Sequence, residues 1–400
     1  MRIVLLNQYY PPDVAPTGRY LHDVGRELAR RGHGVTAIAS RHGYGGDGDF
    51  PTVDRVDGVR VKRLPGTAFG RGTLAGKAAD YAIYCAGLAG RLAIQERPDV
   101  VVALTTPPFL GLLAKWTAVA RRAEHVHWVM DVYPDVMEAH GMIEGTPSRA
   151  LRSLAGHAVS GAHTIITLGE TMTDRVRDYY DGNSRLRSVP LWAPAGLTPV
   201  RETPALRAER GWEEDRLVLL YSGNLGLGHR FDEFLEAARQ LGTDGPRWGF
   251  AGEGRARPEV ERFVRQFPEL PIEMLPYVPD AQLRDHLCSA DVHLVSLDSR
   301  WDGLIMPSKL QGSFAVGRPV IFVGSPASDL ARWVEESGGG WVVAEGDVDG
   351  LIAAIAQAQD RAELRRRGAA AVAYAREKFD RGANVERMVE LITGRSFRAP

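Results

Sequence analysis

The sequence predicts an α/β protein built from two doubly wound parallel sheets, one in each half of the chain. Three observations carry this. Short apolar runs alternate with stretches of helical spacing, the pattern of parallel strands covered on both faces by helices. The alternation occurs twice. Between the two series lies Val189-Pro190-Leu191-Trp192-Ala193-Pro194-Ala195-Gly196-Leu197-Thr198-Pro199, whose prolines prevent a long helix or strand.

In the first half the expected strands are Ile3 to Leu6, Val35 to Ala39, Val59 to Leu64, Val100 to Leu104, His125 to Val129 and Thr164 to Leu168. In the second half they are Leu217 to Tyr221, Trp248 to Ala251, Ile272 to Leu275, Val292 to Ser296, Val320 to Val323 and Trp341 to Ala344. The domains then span residues 1–190 and 197–378, with a hinge between them that leaves a cleft. A last helical stretch within 380–400 is placed to return to the first domain.

Four hundred residues with 44% hydrophobic composition suffice for two cores. A net charge of -1, with no run of five basic residues, argues against a nucleic-acid binder. Cys85 and Cys288 lie far apart and lack metal-ligand spacing, which suits a reducing cytoplasm. No stretch approaches the roughly 20 apolar residues that span a bilayer. The expectation is a cytoplasmic protein, at most peripheral at the inner membrane face.

Open parallel sheets bind ligands beyond the carboxyl ends of their strands. The loop after the first strand leads into Thr17-Gly18 at a helix start, where bare amides can approach substrate oxygen or Thr17 can simply cap the helix. The second half opens similarly with Ser222-Gly223-Asn224-Leu225-Gly226-Leu227-Gly228-His229-Arg230. This glycine loop lacks the G-x-G-x-x-G order of a dinucleotide site, and Arg230 is available for bidentate phosphate contact. The third feature is Pro307-Ser308-Lys309-Leu310, where proline fits a first helical turn, Ser308 can satisfy a free amide and Lys309 adds charge at the positive helix end. Such a place suits an anion, above all a diphosphate.

These residues, with Tyr9-Tyr10-Pro11-Pro12, Thr105-Thr106-Pro107-Pro108, Gly252-Glu253-Gly254, Tyr277-Val278-Pro279 and Gly317-Arg318-Pro319-Val320, resemble the sugar-nucleotide glycosyltransferases of family 4 over nearly the whole chain. The resemblance implies the GT-B fold: two Rossmann-like domains facing across a cleft. It implies transfer of a sugar from a nucleoside diphosphate donor, bound mainly by the second domain, to an acceptor bound mainly by the first. Anomeric configuration would be retained, with no metal and no cofactor beyond the nucleotide sugar as substrate.

Several positions depart from the family pattern. Where many relatives place an arginine and a lysine in the glycine loop, this chain has Asn224 and the His229-Arg230 pair, so diphosphate charge falls to Arg230 and Lys309. Many relatives also have two glutamates separated by seven residues, the second binding the donor ribose; here these places hold Leu304 and Gly312, a departure that resembles a Pro-Ser-Lys branch acting in bacterial surface-polysaccharide assembly and natural-product glycosylation. Gln311 or backbone groups are left to hold the ribose, and Asp298 or Asp302 to reach sugar hydroxyls. The implied donor contacts are Thr17, Gly18, Gly223, Asn224, Gly226, Gly252, Tyr277, Val278, Asp302, Gly303, Leu304, Pro307, Ser308, Leu310 and Gln311.

On the acceptor side a strand ending near Val129 delivers Asp131, the first catalytic candidate with Lys309 and Arg230. His125 and His127 alternate on that strand, so at least one faces core. Asp47-Gly48-Asp49 and Asp347-Val348-Asp349 imitate a metal motif, but the latter reads as a helix start and no metal site is expected. The stretch from Arg63 to Gln95 mixes basic residues (Arg71, Lys77, Arg91) with an apolar stripe (Phe69, Tyr81, Ile83, Tyr84, Leu88, Leu92). It reads either as a core-facing helix or as a contact for an anionic bilayer. The acceptor is correspondingly a small molecule or a lipid-linked glycan. Two other functions fit the same architecture, a sugar-nucleotide epimerase and a non-catalytic nucleotide-sugar-binding subunit.

Overall fold

The computed structural model describes residues 1–43, 49–66, 74–180, 182, 184–200 and 205–394. The chain divides into two compact units. One holds Met1–Pro190, Gly303–Met306 and the chain from Gly382; the other holds Leu191–Asp302 and Pro307–Arg381.

The first unit contains β1 (Arg2–Leu6), β2 (Gly34–Ser40), β3 (Val53–Val56), β4 (Val59–Leu64), β5 (Val100–Ala103), β6 (Glu124–Trp128), β7 (Thr164–Thr167) and β8 (Arg185–Ser188). They form one sheet in the order β3-β4-β2-β1-β5-β6-β7-β8, parallel except for the β3-β4 hairpin. Ile3 lies beside both Val35 and Val100, so β1 is central and near-continuously apolar. The sequence reading missed β3 and β8, which alternate exposed and half-buried residues at the two sheet edges and carry no apolar run.

The helix Pro16–Arg30 starts with proline at its first position and buries Leu21, Val24 and Leu28 at helical spacing. The helix Leu74–Ala93 sends Tyr84, Leu88 and Leu92 into the core with Leu64 and Leu110. That settles this part of the Arg63 to Gln95 stripe as a core face, although Ile83 is exposed; Phe69 and Arg71 lie outside the described residues. Among the described residues no helix is long and apolar enough to cross a membrane. The final helix Arg381–Thr393 buries Asn384, Val385, Met388, Val389 and Ile392 and is grouped with the first unit, where Glu386 pairs with Arg31 at 3.2 Å.

The second unit contains β9 (Val218–Ser222), β10 (Arg247–Ala251), β11 (Ile272–Leu275), β12 (Val292–Leu297), β13 (Val320–Gly324) and β14 (Gly340–Val343), in the order β11-β10-β9-β12-β13-β14. Every pairing is parallel. The chain runs outward from β9 to β11 and then returns to the other side of β9 as β12, which puts a topological switch point between β9 and β12. In the first unit the equivalent switch lies between β1 and β5. The loops leaving these four strands are where the fold leaves room for ligands.

Asp347 caps the helix Val348–Ala358 by accepting a hydrogen bond from the Gly350 amide at 2.8 Å, as its sequence position suggested. Asp47 and Gly48 lie outside the described residues.

Candidate functional site

In the second unit the loops after β9, β10, β11 and β12 all emerge at one edge of the sheet. Tight backbone contacts hold the first two together. Gly252 has φ 123°, and a Cβ there would come within 2.2 Å of the Gly223 carbonyl oxygen; a Cβ on Gly254 would meet the Leu225 oxygen at 2.3 Å. The Gly223 amide donates to Ala251 at 2.9 Å and the Leu225 amide to Glu253 at 2.8 Å. Gly226 packs beside the Asn224 side chain, and Tyr277, exposed, follows β11 with the half-buried Val278.

Lys309 is the first residue of the helix Lys309–Ala315. Its side chain lies over the β9 loop: Nζ is 3.1 Å from His229 Nε2, 3.5 Å from the Asn224 carbonyl and 4.7 Å from the centre of the Tyr221 ring. A Cβ on Gly223 would approach Lys309 Cε to 2.9 Å, so glycine there makes room for the lysine itself. Burial pushes the ammonium down to about 7, because a charge with little solvent around it is costly. His229 is pushed down to about 3, by burial first and then by the Lys309 charge. Its Nδ1 lies 2.6 Å from the Ser296 carbonyl and so carries the proton, leaving Nε2 as acceptor.

Other expected donor residues stand differently from the sequence reading. Ser308 sits at the helix cap but its side chain makes no capping bond, and Pro307 precedes the cap, outside the first turn. Arg230 is committed elsewhere: its Nε donates to Glu233 Oε1 at 2.8 Å, a second nitrogen lies 2.6 Å from the same oxygen, and a third is 3.9 Å from Asp298. Asp298 in turn binds the Arg300 guanidinium at 2.9 Å, which holds its carboxyl below the usual range. Asp302 follows the short 3-10 helix Ser299–Trp301 and donates its amide to the Ser299 carbonyl. Gln311 is wholly buried with neither amide atom bonded, so it presents no surface to a ribose; Leu310 is equally buried. Gly303 and Leu304 belong to the first unit. A Cβ on Gly303, φ 74°, would strike the Thr171 carbonyl, and Leu304 accepts a hydrogen bond from the Val132 amide at 2.9 Å.

In the first unit Thr17 occupies the second position of its helix and does not cap it; its hydroxyl accepts from Asn7 Nδ2 at 3.2 Å. Gly18 packs against the Tyr9 backbone, where a Cβ would lie 2.9 Å from the carbonyl oxygen. Beyond β5 and β6, the Thr105 hydroxyl accepts the amides of Met130 and Asp131 at 3.2 and 3.1 Å and fixes the turn that carries Asp131. Asp131 borders a cavity of about 30 Å³ with Thr105, Phe109, His127, Tyr133 and Tyr179, room for a water or a single small group. Burial pushes its carboxyl up to about 6. His127 also borders this cavity and is held near 4 by burial; His125 is wholly buried and does not reach it.

The sequence reading passed over Thr105 as a support for Asp131 and Tyr221 as the floor beneath Lys309. It grouped His229 with Arg230, whereas the structure turns only the histidine toward the lysine. No pattern distinguishes two adjacent loop residues in this way. Among the described residues no three His, Cys, Asp or Glu side chains are gathered to hold a metal ion.

Comparison with known proteins bears on the fold and the family. Residues 17–192 match the model of the glycosyl transferase 4-like domain and residues 216–360 that of the glycosyl transferases group 1. WcaI of Escherichia coli, named for colanic acid biosynthesis, is 23% identical over 90% of this chain and 92% of its own. WbjE of Pseudomonas aeruginosa, named as a glycosyltransferase, is 25% identical over 62% of each chain. Among solved structures, sucrose-phosphate synthase from Thermosynechococcus elongatus superposes with a TM-score of 0.79 at 16% identity, covering 98% of both chains. WaaG, a glycosyltransferase of lipopolysaccharide biosynthesis, gives 0.72 at 18% identity over 99% of this chain and 100% of its own. At these identities the structures establish the fold, and the domain models establish the family: the chain belongs to the family 4-like glycosyltransferases of GT-B fold.

Proposed function

We propose that this glycosyltransferase retains anomeric configuration, needs no metal, and moves a sugar from a nucleoside diphosphate to a hydroxyl of a lipid-linked glycan. The observation that carries the donor half is Lys309, a half-buried cation at the switch point of the second sheet, seated in the room that Gly223 leaves for its side chain. A diphosphate at that place satisfies the lysine and restores its charge. The structures of Anabaena HepE with UDP and with UDP-glucose support uridine nucleotides as the first donors to test. The names of WcaI and WaaG support a surface-polysaccharide acceptor over a small-molecule one.

In the reaction the bond from the anomeric carbon to the diphosphate oxygen breaks, the acceptor oxygen bonds to that carbon on the same face, and the acceptor proton passes to the departing phosphate. Negative charge grows on the phosphate as an oxocarbenium-like sugar forms. Lys309 stabilises that growing charge, and preorganised stabilisation of this kind usually lowers such a barrier more than any other single effect. Asp131 orients the acceptor hydroxyl or stabilises the cationic sugar.

The test is thermal stabilisation by UDP, GDP, ADP and dTDP with and without EDTA, followed by transfer assays with the matching sugar nucleotides. Ligand that binds only the native state must raise its melting temperature. The expected result is a shift with one nucleotide, unchanged by EDTA and lost in Lys309→Ala. No shift with any of the four removes the donor assignment.

A further inference from the structure

Lys309 does not lie free in its loop. Two protein acceptors take two of its three N–H directions, His229 Nε2 at 3.1 Å and the Asn224 carbonyl at 3.5 Å, and the Tyr221 ring sits 4.7 Å below it. The histidine is itself fixed. Its Nδ1 proton goes to the Ser296 carbonyl at 2.6 Å, and its ring packs edge-on to Tyr221 at 5.8 Å. The Ser296 hydroxyl bonds the Arg230 backbone on both sides, accepting from its amide at 3.1 Å and donating to its carbonyl at 2.7 Å. The end of β12 thus clamps the loop that carries His229.

The tautomer follows from this anchor. A histidine that must donate from Nδ1 to a carbonyl, in a site where burial and a neighbouring ammonium both oppose a second proton, stays neutral and offers Nε2 as an acceptor. An acceptor aimed at a half-buried lysine does two things: it fixes where the ammonium sits, and it favours the charged form over the neutral amine. We infer that His229 is a positioning residue of the donor site, a fixed acceptor that holds Lys309 over the Gly223 loop, protonated and aimed at the diphosphate. This rests on the reading of Lys309 as the diphosphate ligand and adds the group through which the protein controls it.

The surroundings leave this control to His229. Among the described residues the titratable groups in contact with Lys309 are His229 and the Tyr221 ring, and the phenol donates at 2.9 Å to the Asn224 carbonyl that Lys309 also approaches. Arg230, the next residue, turns to Glu233 and Asp298. The helix bearing Lys309 packs on β12, β13 and the helix Arg361–Lys378, and among the described residues no charge on these acts on the ammonium, whose shift has burial as its cause.

The consequence is a defined pH dependence of donor binding. The free lysine loses its proton near pH 7, and a bound diphosphate raises that value by opposite charge. Affinity is therefore highest below about pH 7 and falls above it, because each binding event must then take up a proton. Removing the imidazole acceptor withdraws its support for the ammonium and moves the fall to lower pH.

The experiment titrates the wild-type protein, Lys309→Ala, His229→Leu and His229→Gln calorimetrically with UDP, GDP, ADP and dTDP. The range is pH 7 to 9, above the terminal phosphate's own ionisation near 6, with two buffers of different ionisation enthalpy to count protons. For whichever nucleotide binds the wild-type protein, proton uptake is expected at pH 8, while Lys309→Ala should show no binding heat with that nucleotide. His229→Leu should weaken binding at pH 8 about tenfold, the scale of one hydrogen bond to a charged group, with a smaller loss at pH 7. His229→Gln, which can keep an acceptor near the place of Nε2, should recover most of both affinity and pH profile. Melting temperatures of the variants separate these effects from misfolding.

Unchanged affinity and pH profile in His229→Leu, with binding still lost in Lys309→Ala, overturns the inference about His229 and leaves the donor site standing. A uniform loss at every pH that glutamine does not repair makes His229 structural and also overturns it. Failure of all four nucleotides to bind the wild-type protein removes the donor site first, and this inference with it.

Discussion

Glu233 holds Arg230 through one carboxylate oxygen that lies 2.8 Å from Nε and 2.6 Å from a terminal nitrogen. The same oxygen accepts the Gly346 amide at 2.9 Å, and the glutamate is 2% exposed. Arg230 is therefore the counter-ion of a buried carboxylate that pins the loop after β14 to the helix Asp232–Leu241. Its place beside the glycine loop had suggested a phosphate ligand. The two roles compete for one guanidinium.

The competition has a measurable sign. Arg230→Ala leaves the buried Glu233 carboxylate without its charged partner, which costs about 1–3 kcal/mol because Arg230 itself is only half-buried and the Gly346 amide still donates to the same oxygen. Lys309→Ala removes a cation that burial already disfavours and should leave stability within about 0.5 kcal/mol of wild type. Urea unfolding of the two variants tests this directly. If Arg230→Ala is as stable as wild type yet loses nucleotide affinity, the arginine's main duty is the donor and Glu233 is satisfied without it.

The glycines of the donor loops give a second prediction. At Gly252 a Cβ would overlap the Gly223 carbonyl at 2.2 Å on a backbone with φ 123°, and neither loop can retreat without breaking the Gly223 to Ala251 hydrogen bond. Gly252→Ala should cost about 3 kcal/mol or more, or prevent folding. At Gly223 the nearest obstacle is the flexible Lys309 side chain at 2.9 Å. Gly223→Ala, with φ 135°, carries backbone strain of about 1–2 kcal/mol, and its added methyl displaces the ammonium. Nucleotide affinity should fall about tenfold while the protein still folds, read by calorimetry and by its melting curve.

Much of this arrangement was legible in the sequence, and the parts that were not have a common cause. Buried parallel strands announce themselves as apolar runs, so Val59 to Leu64 and Ile272 to Leu275 coincide with β4 and β11 and the remaining expected strands differ by a residue or two at their ends. The edge strands Val53–Val56 and Arg185–Ser188 pack on one side only and hide among polar residues. Asp131 could be read as a candidate because a strand end delivers it to the ligand edge, and Lys309 because Pro307-Ser308 marks a helix start there. The direction of each side chain could not. Arg230 turned to Glu233, Gln311 into the core and Thr17 to Asn7 are decisions made by tertiary neighbours or by a single turn of backbone, and no local periodicity encodes them.

Asp131 offers the test that best separates function from structure. Its carboxyl is raised by burial from 3.8 to about 6, so between those values the native state holds more protons than the unfolded chain, and stability falls as pH rises through that window. Above pH 6 the whole cost of the buried charge is present. Asp131→Asn removes that charge while keeping the shape and the Thr105 bond to the backbone amide. It should therefore stabilise the protein by about 1–2 kcal/mol at pH 7.5 and bring little or no gain at pH 4, measured by urea unfolding at both values. Glycosyl transfer should drop about 100-fold or more in the same variant while nucleotide affinity stays within about twofold, since the residue acts on the acceptor or the cationic sugar. A carboxylate whose removal strengthens the fold and stops the reaction is there for the reaction. A variant that is weaker at both pH values would instead make Asp131 a structural hydrogen-bonding group of the turn after β6.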